Sequence, residues 1–285
     1  MPEASRLNER PGQQPDHQPR HSAMTIAAEP KAQDAIGFNT LLKKEVMRFW
    51  SVLGQTVTAP VITALLYLLV FAQAMSGRAP IYEGVSYTQF LIPGLVMMTV
   101  IQNAFANTSS SLTQSKIMGN LVFLLMAPLG PLEWFGAYVI AALIRALLVA
   151  VVMLVVTIPF VHLPLQAPLV LATMFVLSAG SLAVLGLIAG IVASKFDHLA
   201  AFTNFFITPL SFLSGVFYSV HALPPLWFKA SHLNPFFYMI DGFRYGFFGK
   251  ADVPVWQSLT WSAAFFVIVS TVCLWMLFTG YKLRR

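Results

Sequence analysis

The sequence predicts an all-α integral membrane protein with six membrane-spanning helices. Three observations carry that expectation. Only 10% of the 285 residues are charged while 57% are hydrophobic, against about 25% charged in ordinary soluble domains. The charges are bunched: no Asp, Glu, Lys or Arg lies between Arg48 and Arg78, Glu83 and Lys116, Arg145 and Lys195, Asp197 and Lys229, or Asp252 and Lys282. The basic residues sit at the ends of the apolar runs, as membrane topology places them. A helix needs about 20 largely apolar residues to cross about 30 Å of hydrocarbon. Four gaps hold one span each. The stretch after Arg145 holds two, divided by Pro159, Pro164 and Pro168.

Residues 1–36 are rich in Pro, Gln, Asp, His and Arg and read as a disordered cytoplasmic tail. They lack the apolar core and cleavage pattern of a signal peptide, and Met24 is a candidate alternative start. Next, Phe38, Leu41, Leu42, Val46, Phe49 and Trp50 form one helical stripe, with Lys43, Lys44 and Arg48 on the other side. This is the pattern of a helix lying in the membrane surface; the plainer reading is a basic flank of the first span. The spans are expected at 52–74, 89–112, 135–158, 169–193, 199–220 and 259–281, within one domain over 37–285.

Two connections are too long to be turns. Residues 113–134 are apolar and nearly uncharged and end in Ala127-Pro128-Leu129-Gly130-Pro131, which suggests a short surface helix. Residues 221–258 carry Leu223-Pro224-Pro225, Asn234-Pro235 and a dense aromatic run, which suggests two short re-entrant helices packed in protein. An even number of spans puts both termini on one side. Arg6, Arg10, Arg20, Lys31, Lys43, Lys44, Arg48, Lys116, Lys195, Lys282, Arg284 and Arg285 share that side, against Arg78, Lys229, Arg244 and Lys250 opposite. The positive-inside rule makes both termini cytoplasmic.

Catalytic patterns are absent. The nearest string to a phosphate loop, Gly246-Phe247-Phe248-Gly249-Lys250, has the wrong spacing and runs into Ala251. The six histidines show no metal-ligand spacing. The lone Cys273 excludes an internal disulfide. The net charge of +6 is spread over span ends, which argues against nucleic acid as a partner. No acidic residue falls near the centre of a span, unlike the relay expected in ion-coupled carriers.

Two spans carry a polar face. The second has Gln102, Asn103, Asn107, Thr108 and Ser110; the fifth has Asn204, Thr208, Ser211 and Gly215 at helical spacing, with a bend expected at Pro209. Such faces turn toward another helix or a wet pathway, as interhelical hydrogen-bond glue or as pathway lining. Arg145 lies inside the third span, where it snorkels to the interface or meets an anionic headgroup. Gly186/Gly190 and Gly242/Gly246 form two G-x-x-x-G pairs, a common pattern that allows close helix approach.

The run Leu213-Ser214-Gly215-Val216-Phe217-Tyr218, then Leu223-Pro224-Pro225, Leu233-Asn234-Pro235-Phe236-Phe237-Tyr238 and Asp241-Gly242-Phe243-Arg244, resembles the signature of type-2 ABC transporter permeases. Phe90-Leu91-Ile92-Pro93-Gly94-Leu95 and Ala127-Pro128 resemble the family too, so the likeness covers roughly residues 37–285. The family includes nodulation-factor, polysaccharide and drug exporters. The resemblance implies a homodimer of permease chains, or a pair with a relative, served by two copies of a cytoplasmic ATPase that binds ATP and Mg; no cofactor is expected on this chain. It implies an ATPase-coupling segment around Lys116, Asn120, Leu121 and Pro128. It implies a pathway lined by Asn103, Asn107, Asn204, Thr208 and Ser211. It implies an external gate that includes Pro224, Asn234, Pro235, Tyr238, Asp241 and Arg244. Relatives often carry acidic residues shortly before the Ala-Pro of the coupling segment, whereas this chain has Val122 and Phe123. The rival readings are an ion-coupled secondary transporter, which needs inverted repeats and a mid-membrane carboxylate, an intramembrane enzyme and a non-transporting assembly protein.

Overall fold

The computed structural model describes residues 30–74 and 82–283. The tail expected over 1–36 therefore falls mostly outside the described residues, although helix α1 (Pro30–Trp50) begins inside that stretch. Then follow α2 (Leu53–Ala74), α3 (Tyr87–Ile117), α4 (Leu121–Met126), α5 (Pro131–Thr157) and α6 (Pro168–Val192). After them come α7 (Phe196–Phe202), a π turn (Thr203–Ile207), α8 (Thr208–Phe212), α9 (Pro225–His232), α10 (Pro235–Phe248) and α11 (Val255–Thr279). Among the described residues there is no strand beyond an isolated Tyr82–Val85 bridge.

Five helices are long and apolar enough to span a membrane: α2, α3, α5, α6 and α11. The fifth expected span, 199–220, is helical only over 196–212, as α7, the π turn and α8. The cause is local. Pro209 has no N–H and its ring crowds the preceding turn. The backbone widens ahead of it, with the Thr208 N–H donating to Thr203 O, five residues back. The bend expected at Pro209 thus takes the form of a π bulge. Gly215, at φ +75°, then turns the chain before the expected end of the span.

α3 is the mast of the bundle. Its 31 residues rise about 46 Å, more than a bilayer core. It starts in a capping box, in which Gln89 N–H donates to Ser86 Oγ (3.3 Å) and Ser86 N–H to Gln89 Oε1 (2.8 Å). Polar groups along α3 need partners, so it is enclosed by α2, α5, α6 and α10. The closest crossing is with α6. Thr108 Oγ1 donates to Ala183 O (2.7 Å), and a Cβ at Gly190 would stand 3.0 Å from Leu112 Cβ. Gly186 faces Phe105 O and Thr108 Oγ1 still more closely. The second glycine pair works similarly: added Cβ atoms at Gly242 and Gly246 would lie 2.6 Å from Met174 Cε and 2.7 Å from Leu171 Cβ of α6. Both pairs are therefore seams against or within α6.

α1 lies along α5, with Leu41 and Phe49 buried and Lys43 and Lys44 exposed, as the stripe predicts. Two members depart from it. Trp50 is exposed, and Arg48 turns inward beside a fully buried Glu45. An ion pair outweighs the helical-wheel pattern at this point, because α1 packs on protein and not on lipid alone.

Gly186→Val is expected to destabilise the α3–α6 seam by about 1–3 kcal/mol. Gly54→Ala in α2, where an added Cβ meets nothing within 4 Å, is expected to be neutral or slightly stabilising. Thermal unfolding of the purified protein in detergent checks both.

Candidate functional site

Three places gather the polar residues. The first lies inside the membrane-spanning bundle. Arg145 stands 14 residues into α5, about 21 Å from the helix start and near its middle. A cation there must find acceptors. Arg145 Nη2 donates to Asn103 Oδ1 (3.1 Å) and Nη1 to Asn107 Oδ1 (3.3 Å). Asn103 and Asn107 are one helical turn apart on α3, so one guanidinium bridges both. Arg48 of α1 reaches the same place, with Nη2 donating to Asn107 O (2.8 Å) and Asn107 Oδ1 (2.9 Å). Its Nε pairs with Glu45 (3.2 Å). The network ties α1, α3 and α5 together. Arg145 is thus neither snorkelling nor bound to an acid. It is held by neutral amides beside a cleft of about 550 Å³ between α2, α3 and the π turn.

Of the expected pathway residues, Asn103 lines this cleft and Asn107 supports it from behind. Asn204, Thr208 and Ser211 do not line it. Asn204 is exposed, Thr208 is part-buried, and buried Ser211 donates back to Ile207 O (2.7 Å). The π turn presents Thr203 to the cleft instead. Sequence reasoning also missed Glu45 and the α2 residues Gln55, Thr56 and Thr63. Glu45 left a signal: it falls four residues after Leu41 and four before Phe49, on the buried stripe.

The second place is the turn after α3. Lys116 Nζ donates to Ile191 O and to Ala193 O (3.3 Å), closing the open carbonyls at the end of α6. It is a strut between two helix ends. Leu121 is buried, while Asn120 and Pro128 are exposed. The most exposed side chains of α4 are Phe123 and Met126, at 73% and 77%.

The third place is a clasp at the opposite end of α3. Arg244 of α10 is buried. Its Nη2 donates to Gly215 O (2.9 Å) and its guanidinium lies 3.7 Å over the Phe90 ring. Gly94 permits this approach, since a Cβ there would stand 2.9 Å from Val216 O and 3.1 Å from Arg244 Nη2. Fully buried Asp241 accepts the Asp252 and Val253 N–H groups (2.8 and 3.2 Å), and Asp252 accepts from Tyr82 OH, Ser219 Oγ and Val220 N–H. Asn234 caps α10 through Phe236 N–H (3.0 Å), next to Pro235 at the helix start, and its Nδ2 donates to Leu210 O (2.7 Å). Tyr238 OH donates to His232 O (2.9 Å) and its ring stacks on Trp261. Pro224 is exposed at the start of α9. The motifs 90–95, 213–218 and 234–244, distant in sequence, are therefore one interlocked structure.

A helical membrane bundle with an intramembrane polar cleft, an exposed apolar turn at one end and a clasp at the other has the layout of a transport subunit. The model of the ABC-2 type transporter family matches residues 37–248, and the chain belongs to that family. It is 37% identical over 249 residues to an inner membrane transport permease, YadH, of Escherichia coli K12, covering 87% of this chain and 97% of the relative. It is 29% identical over 202 residues to nodulation protein J of Sinorhizobium fredii, covering 68% of this chain and 72% of the relative. The chain is a permease subunit of an ABC transporter and a multi-pass inner-membrane protein.

Replacing Arg244 with Leu leaves Gly215 O unpaired and removes the ring contact; a loss of about 2–4 kcal/mol of stability is expected. Burial pushes the Asp241 carboxyl up to about 6, against the pull of the Asp252 N–H and Arg244. A carboxyl raised on folding contributes stability below its unfolded value near 4 that is lost as pH rises through about 6. The melting temperature of Asp241→Asn relative to wild type should therefore rise between pH 4 and pH 6 and stay level above. A constant difference across that range contradicts the assignment.

Proposed function

We propose that this chain is the membrane half of an ATP-driven exporter of an amphipathic, lipid-linked or drug-like cargo. A separate cytoplasmic ATPase, present in two copies, binds ATP and Mg and does the hydrolysis. Two copies of the permease pair in the bilayer, with both termini cytoplasmic. The observation that carries the reading is α4: a helix at the cytoplasmic end of α3, six residues long and so too short to cross a bilayer, with Phe123 and Met126 turned outward. Apolar side chains presented on a turn outside the spans suit a protein socket. α4 is braced by α3, and Lys116 fixes the α3 end to α6, so a push on α4 reaches the two helices with the closest seam. Closure of the ATPase pair then shifts the bundle between two states through differential contact. The 222–250 segment closes the external end.

The test is co-purification of a P-loop ATPase with the tagged chain from native membranes. Phe123→Asp is expected to cut the recovered ATPase about tenfold or more, with the permease's own melting temperature unchanged. Full recovery with Phe123→Asp moves the docking surface elsewhere. Failure of the wild-type chain to retain any ATPase overturns the reading.

A further inference from the structure

The cleft beside Arg145 has a chemistry that neither the helix seams nor the docking turn explains. Arg48 is matched by Glu45, but no carboxylate lies within salt-bridge distance of Arg145, and none lines the cleft among the described residues. Two neutral amide oxygens hold the guanidinium, and its buried Nε has no acceptor among the described residues. A charge kept near the middle of a span without a counter-ion is unfavourable unless an anion joins it. Donors converge from separate elements: Gln55 of α2, Gln102 of α3, Arg145 of α5 and Thr203 of the π turn. Several donors from different directions suit a tetrahedral phosphate, and the guanidinium fork binds its oxygens pairwise.

The cleft is also graded. Gln55, Gln102 and Arg145 lie toward the end where α2 begins, while Tyr67, Leu95 and Met98 lie toward the other end. Gln55 and Tyr67 are about 18 Å apart along α2. That polarity matches an amphiphile of the leaflet on the α4 side, headgroup outward and tail toward mid-bilayer. The volume of about 550 Å³ holds a headgroup and the first part of a chain. Gln55, Ala59 and Ala106 on its rim are exposed, so the cleft opens at the subunit surface.

We propose that this cleft binds a phosphate-bearing amphiphile, with Arg145 on the phosphate and the Tyr67–Leu95–Met98 end along the tail. Asn107 holds Arg145 in place and is itself held by Arg48, so α1 positions the phosphate-binding group from outside the cleft. That this amphiphile is cargo rests on the exporter reading; that it binds does not.

The experiment measures ligand retention by native mass spectrometry and thermal stabilisation of the full-length chain in neutral detergent. The probes are lysophosphatidylglycerol, inorganic phosphate and a neutral monoacylglycerol of the same chain length. Lysophosphatidylglycerol is expected to bind about tenfold or more tighter than either other probe. Arg145→Gln and Gln102→Leu are expected to weaken it, Arg145→Gln by about tenfold. Arg145→Lys, which keeps the charge and loses the fork, is expected to fall between wild type and Arg145→Gln. Equal binding of the monoacylglycerol reduces the cleft to an apolar groove, and equal binding of inorganic phosphate reduces it to a free-anion site; either overturns the proposal. Unchanged lysophosphatidylglycerol binding in folded Arg145→Gln overturns it too. Should Arg145→Gln not fold, Gln102→Leu and the three wild-type probes decide. Lipid binding without ATPase retention sinks the exporter reading and leaves the site. ATPase retention without lipid binding does the reverse.

Discussion

Hydrocarbon offers no hydrogen bonds, and a mid-membrane arginine turns that constraint into architecture. Arg145 needs acceptors, and Asn103 and Asn107 supply them from adjacent turns of α3. Asn107 in turn takes Arg48, which brings Glu45 out of water with it. One charge placed on α5 thereby fixes the rotation of α3 and the docking of α1. The remaining polar groups of α3 follow the same logic. Thr108 finds a carbonyl of α6, and the glycines of α6 bring the two backbones close enough for that bond.

The two ends of α3 are then specialised. At one end, Phe90, Gly94, Gly215 and Arg244 lock the segment between α8 and α11 into a single body, with Asp241 and Asp252 gathering its loose N–H groups. At the other, Lys116 joins α3 to α6 and leaves α4 protruding. In the proposed exporter the clasp is the outer end, α4 is the lever at the inner end, and the charged cleft lies between them.

Much of this was legible in the sequence. Charge-free runs of the right length identify α2, α3, α5, α6 and α11 directly, because desolvation admits little else over 30 Å. The depth of Arg145 and the polar face at Asn103 and Asn107 were visible for the same reason. Their partnership was not, since periodicity gives the face of a helix and not what it faces. Arg48 shows the limit most clearly: the wheel assigns it to the solvent side, and a buried acid three residues away reverses that. The expected fifth span was misjudged in form, because a π turn and Gly215 alter the rise and direction of a segment whose composition still looks membranous. Within that segment Asn204 is exposed and Thr203 faces the cleft. Most clasp residues, by contrast, stand in sequence motifs, but Tyr82, Ser219 and Asp252 lie outside them, and neither they nor the mutual contacts are legible in the sequence.

The central claim is that the polar cleft separates a cytoplasmic coupling turn from an external clasp, with α4 and α9 on opposite faces of the membrane. Cys273 is the only cysteine and is buried, so its replacement by Ala gives a background for single-cysteine labelling. A membrane-impermeant maleimide on intact spheroplasts should label Leu226→Cys in α9 at once, and Met126→Cys in α4 only after the membrane is opened. Labelling of both positions from the same side, or in the reverse order, would contradict the account.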